Sequence, residues 1–188
     1  MLTLEEYVEE GVLARKSVSI HNIHEFAQLL LYKFEKGGKL IAFGNGGSAA
    51  DAQHFVGELD GHFTTERRAL PAVAVSTNTS SLTAIGNDYS YEDIFSRPVS
   101  ALATERDVVV GISTSGNSAN VVKAIHAAKD NGAYTVALTG KMGGKLRNVV
   151  DELFAVESDF TPIIQEVHIS IIHMICLELD RMMSTPPK

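Results

Sequence analysis

His54 and Glu58 stand four residues apart, a spacing that puts an imidazole and a carboxylate on one face of a helix. Such a pair can hold a divalent cation or move a proton. Just before it comes Gly44-Asn45-Gly46-Gly47-Ser48, with three glycines in four positions, after the short apolar run Leu40 to Phe43. Glycines there permit positive φ and close approach of the backbone to a ligand. Ser48 is placed to cap the following helix, whose N-terminus favours an anion. A second stretch of similar character is Ser113-Thr114-Ser115-Gly116-Asn117-Ser118. Four hydroxyls, a glycine and the start of a helix in six residues can hold a phosphate without lysine, the helix dipole adding about 0.3–1 kcal/mol. Neither stretch has the lysine of a nucleotide P-loop or the glycine spacing of a dinucleotide fingerprint, which leaves a small phosphorylated metabolite as the ligand class.

The elements needed to position these groups can be read in chain order. Apolar runs at Leu40–Phe43, Ala72–Ser76, Asp107–Ile112, Ala133–Leu138 and Glu152–Val156 predict five short strands. Asp107-Val-Val-Val-Gly-Ile, β-branched after its first position, is the signature of a parallel strand covered on both faces. Between these runs, helical periodicity predicts helices after Gly47, over Ser80–Ile85, Tyr91–Ala103, Ala119–Lys129 and Lys145–Val149, and a long last helix over Pro162–Met183. Strands alternating with helices imply right-handed crossovers. The fold class is therefore α/β: a three-layer sandwich of a central parallel sheet flanked by helices, one domain over 1–188. An N-terminal helical arm over 1–36 precedes the 37–183 core, and its stripe of Tyr7, Val8, Val12 and Leu13 must pack on the sheet or on another subunit. Ligands of such sheets bind beyond the carboxyl ends of strands, where both loops leave. The tail Ser184–Lys188 is the single candidate for disorder.

Composition narrows the function classes. The 188 residues are 45% hydrophobic and 21% charged, an ordinary globular balance. A net charge of −7 and a pI near 5.5 argue against general nucleic-acid binding. Cys176 is the single cysteine, so no intrachain disulfide forms, and it reads as a small buried hydrophobe. No apolar run reaches the roughly 20 residues of a membrane span and no leader is evident, so the expected location is cytoplasmic. His21, His24 and His126 read as solvated or partly buried helix residues, and His168 as structural.

Taken together, Gly-Asn-Gly-Gly-Ser followed by Asp51-Ala-Gln-His-Phe, Gly86-Asn87-Asp88, Ser113-Thr-Ser-Gly-Asn-Ser and Gln165-Glu-x-His168-Ile resemble the sugar isomerase (SIS) domain family, and within it the phosphoheptose isomerases. The likeness runs from about Gly38 to Leu179. It implies a homotetramer with active sites at subunit contacts, and one zinc ion per subunit held by His54, Glu58, Gln165 and His173. It implies substrate contacts at Asn45, Gly46, Gly47, Glu58, Asn87, Asp88, Ser113, Thr114, Ser115, Ser118 and Gln165. The activity implied is conversion of sedoheptulose 7-phosphate to D-glycero-D-manno-heptose 7-phosphate through an enediol(ate), toward ADP- or GDP-heptose, with Glu58 as base and His173 as acid. Two positions depart from the family pattern: His62 and Ile163 stand where family members carry arginine.

Ketose–aldose chemistry needs a base, an acid and something to hold oxygen charge, and a divalent ion can do the last. Metal ligation and proton transfer compete for Glu58 and His173, and both assignments stay open at this level. So does the ligand geometry. Gln165 and His173 are eight apart, about 12 Å of rise and roughly 80° of rotation on a straight helix, so sharing one ion requires an irregular helix or two subunits. A second reading is a non-catalytic SIS protein, a sugar-phosphate-sensing regulator or a replication-initiator-binding factor; a carboxylate at Glu58 speaks for the enzyme. A third keeps the enzyme but changes the sugar to a hexose or pentose phosphate.

Overall fold

The computed structural model describes residues 2–184; most of the tail expected to be disordered, 185–188, lies outside them. The sheet is built around β3 (Val108–Ser113), whose Val108, Val109 and Val110 are fully buried, as a β-branched run covered on both faces requires. β1 (Leu40–Gly44) pairs along one side of it and β4 (Tyr134–Gly140) along the other. β2 (Ala72–Ala74) and β5 (Glu152–Val156) form the edges. All pairings are parallel and the order is β2-β1-β3-β4-β5, the flavodoxin-like order whose switch point lies between β1 and β3. In register, Gly44 stands beside Ile112. The loops at Asn45 and Ser113 therefore leave neighbouring strands at the switch point.

Two apolar layers close over the sheet. On one face α2 (Ile20–Glu35), α3 (Gly47–Asp60) and α7 (Thr161–Ser184) bury Phe26, Leu30, Phe55, Leu59, Ile172 and Ile175 against Leu40, Val108 and Val110. On the other, α4 (Thr79–Asp88), α5 (Ser96–Leu102) and α6 (Ala119–Asp130) pack Val99, Val121 and Ile125 against Ile41 and Val109. α1 (Leu4–Lys16) starts with a capping box between Thr3 and Glu6 and lies along α7. Of its residues only Ala14 is buried. Leu4, Val8, Val12 and Leu13 are 82%, 62%, 47% and 67% exposed, so within one chain most of the expected stripe remains uncovered.

Several local expectations are corrected. Ser48 does not cap α3: the cap is Gly46, at φ +57°, with no side-chain bond, and Ser48 is buried in the first turn. The helix expected over Tyr91–Ala103 is a 3-10 turn (Tyr91–Asp93) followed by α5. Ile94 and Phe95 between them turn into the core, and Pro98 is tolerated only because it falls in the first turn of α5, where an N–H has no partner to lose. The element at Lys145–Val149 is a 3-10 turn over Gly144–Asn148. Finally, α7 is long and apolar enough by composition to cross a membrane, with a mean hydropathy of 1.3 over its 18-residue window, half of it buried within the fold. It is a core helix of the layer it shares with α2 and α3.

Candidate functional site

The first site element is the β1–α3 turn. Strand β1 is buried end to end, and the chain leaves it in too little room for a side chain. A Cβ at Gly44 would stand 2.7 Å from Ser48 Cβ and 2.9 Å from the Ile112 carbonyl oxygen. Asn45 follows and is held by neighbours. Its amide donates to Asn120 Oδ1 at 2.9 Å, and its Oδ1 accepts from Asn120 Nδ2 at 2.9 Å and from the Tyr91 hydroxyl at 3.0 Å. This paired amide bridge ties the glycine-rich turn to the first turn of α6, and hence to the serine-rich loop. Asn120 and Tyr91 were not singled out from the sequence, since only the fold brings them within reach of Asn45.

The serine loop closes on itself. Ser113 Oγ lies 3.0 Å from Ser118 Oγ and 3.5 Å from Ser115 Oγ, and Ser115 Oγ accepts from the Asn117 N–H at 3.1 Å. Ser118 is the cap residue of α6 but makes no capping bond with its side chain. Its hydroxyl is directed to the loop interior, toward Ser113, so hydroxyls and the N-terminus of α6 gather in one place, the kind of donor set with which a cradle can hold an oxyanion. A loop after β4 holds the cradle from behind. Gly116 adopts φ +65°, and a Cβ on it would sit 2.0 Å from the Gly143 carbonyl oxygen. Gly140 N–H donates to Thr114 O at 2.8 Å, Leu146 N–H to Gly116 O at 3.1 Å, and Lys145 N–H to Asn117 Oδ1 at 3.0 Å.

The second centre joins α3 to α7. His54 Nε2 lies 2.8 Å from Glu58 Oε1 and 3.3 Å from His173 Nε2, and one ligand atom from each of the three residues falls within 4.8 Å of the others. Helical spacing places the first two on one face of α3, and α7 brings His173 from 119 residues away. The ring of His173 stacks on Phe63, with centroids 5.4 Å apart and planes 29° apart. Desolvation, and next the charge of His54, hold the His173 imidazole below its usual range, against the attraction of Glu58; the neutral ring is favoured. Ligand atoms on a tetrahedral ion at about 2.0–2.1 Å would stand roughly 3.3 Å apart. The separations from His54, 2.8 Å to Glu58 and 3.3 Å to His173, are close to that requirement, and the third pair lies within 4.8 Å.

Other expected residues fall nearby but not in the cluster. Gln165 lies against the glycine-rich turn: a Cβ at Gly47 would be 2.6 Å from its Nε2. That is about two helical turns along α3 from His54. Gly46 and Gly47 are exposed at the turn. Asn87 and Asp88 end α4, exposed, with Asn87 Nδ2 donating to Asp88 Oδ1 at 2.8 Å. Gly86 beside them lines a cavity of about 470 Å³ shared with Gly44, Asn45, Gly46, Ser76, Thr83 and Tyr91.

Of the residues that depart from the family pattern, His62 is exposed and Ile163 is fully buried in the core. A charge at 163 has no place in this packing. His168 is buried, with its Nε2–H donating to the Thr139 carbonyl at 3.1 Å, and is structural as expected. Asp51, one turn before His54, was quoted from the sequence as part of a motif but given no role. Burial pushes its carboxyl up to about 6, against the influence of His54, and its Oδ2 has no partner.

Comparison with known proteins adds an independent line. Residues 6–140 match the SIS domain family. The chain is 57% identical over 154 residues to the phosphoheptose isomerase of Geobacter sulfurreducens, covering 82% of each chain. It is 46% identical over 185 residues to that of Helicobacter pylori strain P12, covering 95% of this chain and 96% of the relative. Its fold superposes on the structure of phosphoheptose isomerase from Neisseria gonorrhoeae with a TM-score of 0.87 at 44% identity, covering 95% of this chain and all of the other.

Proposed function

The chain belongs to the SIS domain family and, within it, to the phosphoheptose isomerases, and from that premise we propose that it is an aldose–ketose isomerase converting sedoheptulose 7-phosphate to D-glycero-D-manno-heptose 7-phosphate. The observation that carries the reading is the convergence of His54, Glu58 and His173 from α3 and α7, on a fold whose two ligand loops are tied together by Asn45 and Asn120.

The phosphate rests in the cradle of Ser113, Thr114, Ser115 and Ser118, held by hydroxyls and by the N-terminus of α6. Asn45, Gly46 and Gly47 face the sugar through their backbone, the Asn45 side chain being already engaged. Asn87, Asp88 and Gln165 supply further polar contacts. Glu58 removes the proton from C1 of the ketose, leaving an enediolate, and a proton returned to C2 gives the aldose. His173, kept neutral, serves the oxygens as a hydrogen-bonding acid rather than as a standing cation. A zinc ion would be held by His54, Glu58 and His173, with a fourth position for substrate. When bound it supplies Lewis-acid polarisation of the carbonyl and holds developing oxygen charge.

The assembly is proposed to be a homotetramer. The uncovered apolar face of α1, Leu4, Val8, Val12 and Leu13, supports this, since such a stripe is normally buried against a partner. The product feeds formation of nucleotide-activated heptose, and the enzyme works in the cytoplasm. To test the function, purified protein is incubated with sedoheptulose 7-phosphate, with added zinc and after chelation, and the sugar is followed by NMR. Aldose should form with zinc and slow after chelation; no aldose under either condition overturns the proposal.

A further inference from the structure

Behind the His54–Glu58–His173 cluster lies a buried ion pair that none of the chemistry above uses. Arg67, in the segment between α3 and β2, donates from Nε to Asp180 Oδ1 at 2.8 Å, and the two side chains are 3% and 2% exposed. Arg67 also reaches back to α3, with Nη2 donating to the Glu58 carbonyl at 2.6 Å and Nη1 to the Leu59 carbonyl at 3.0 Å, and Nη1 donates as well to the carbonyl of Arg68 at 3.2 Å. Glu58 and Leu59 belong to the last turn of α3, where carbonyls have no partner within the helix. Asp180 Oδ2 in turn accepts from the N–H of Thr64 at 2.7 Å, the N–H of Thr65 at 2.9 Å and the Thr64 hydroxyl at 2.9 Å. Burial works against its charge, but these bonds and Arg67 together hold the carboxyl below its usual range.

Position gives the pair its meaning. Asp180 is seven residues after His173, two helical turns on the same face of α7, and Glu58 supplies both a member of the cluster and one of the carbonyls Arg67 grips. Phe63, the ring on which His173 stacks, directly precedes the threonines that Asp180 holds. The guanidinium and carboxylate thus join three pieces of chain that each carry a part of the cluster: the end of α3, the segment after it, and α7. We propose that Arg67 and Asp180 are positioning residues that fix the distance between Glu58 on α3 and His173 on α7, and so set metal affinity and proton geometry at the cluster. The kinetic consequence rests on the isomerase reading; the structural one does not.

The molecule contains its own control. Asp107, at the start of β3, is 2% exposed and accepts from the Lys39 N–H and ammonium and from the Thr104 N–H and hydroxyl, all at 2.8–2.9 Å. It is the same kind of clamp just before the central strand, and its side-chain partners, Lys39 and Thr104, belong to neither α3 nor α7. The experiment compares Asp180→Asn, the milder Arg67→Lys, and Asp107→Asn in the full chain. Three quantities are read: the ring-proton resonances of His54 and His173 without metal, the affinity for zinc alone by calorimetry, and kcat and KM for the ketose phosphate. The clamp predicts that Asp180→Asn and Arg67→Lys displace both histidine signals and weaken zinc binding about 10- to 100-fold. It also predicts that they lower kcat with KM changed less than twofold. Asp107→Asn should lower Tm while leaving all of these at wild-type values. Wild-type signals and wild-type zinc affinity in Arg67→Lys and Asp180→Asn, with Tm lowered as in the control, overturn it. Should the wild-type protein neither bind zinc nor turn over, the isomerase reading fails and the histidine signals alone still decide the clamp.

Discussion

Replacing Gly47 by alanine should raise stability and lower activity at once. Gly47 is the first residue of α3 and does not have positive φ, so alanine fits the backbone and removes freedom from the unfolded chain, a gain of about 0.5 kcal/mol. For a chain of this size that is a rise in Tm of about 1–2 °C. The new Cβ, however, would lie 2.6 Å from Gln165 Nε2, 3.1 Å from its Cδ and 3.2 Å from its Oε1. To restore ordinary contact the amide must retreat by about 1 Å, which a flexible side chain does cheaply. A polar group displaced by about that much from a reacting substrate can cost up to ~10²-fold in rate. The assay is thermal unfolding beside steady-state kinetics on the ketose phosphate, with Gln165→Ala and the double variant completing the cycle. If Gln165 is the group displaced, Gly47→Ala lowers kcat/KM in the wild-type background and has little effect in Gln165→Ala. A raised Tm with unchanged kcat/KM refutes the placement of Gln165 at the substrate. A Tm lowered by several degrees refutes the premise that its amide is free to move.

Two other changes follow from the same structure. Gly116→Ala forces a side chain into φ +65° and onto the Gly143 carbonyl 2.0 Å away, costing about 2 kcal/mol or more. Tm should fall by about 4–8 °C, and inhibition by inorganic phosphate, which measures the cradle directly, should weaken. His168 gives a pH signature. Burial pushes its imidazole down to about 4, so the unfolded chain takes up a proton near pH 6.5 that the folded chain refuses. Its contribution is intact above pH 6.5 and is lost as pH falls toward 4, amounting to about 3 kcal/mol at the lower end. Urea unfolding at pH 7 and pH 4 should show that loss, and His168→Leu, less stable at pH 7, should flatten it.

Much of this architecture was legible in the sequence because it depends on local pattern. The valines of β3 announced a doubly covered strand, and glycine, serine and helix-start residues after β1 and β3 marked the two loops. The four-residue spacing of His54 and Glu58 fixed their common face without any knowledge of the fold. What escaped was either nonlocal or a matter of competing local signals. Arg67 and Asp180 are 113 residues apart, and nothing in either neighbourhood points to the other. Asn120 and Tyr91 acquire their place only through Asn45. Ser48 had the chemistry of a cap, but Gly46 took the cap position two residues earlier, and the serine was carried into the helix. The helix expected over 91–103 had adequate periodicity, yet burial of Ile94 and Phe95 turned the chain there. The stripe on α1 was read correctly as apolar, but within the chain Val8, Val12 and Leu13 stay exposed rather than packing on the sheet.

The central claim is that the cluster on α3 and α7 performs proton transfer on a ketose phosphate, and Glu58→Gln tests it most directly. The substitution keeps size and a hydrogen-bonding oxygen but removes the base. With sedoheptulose 7-phosphate and zinc present, aldose formation followed by NMR should slow by about 10²–10⁴-fold, the usual contribution of a general base, while the variant keeps its fold by circular dichroism. Aldose formed by Glu58→Gln at the wild-type rate would contradict the account.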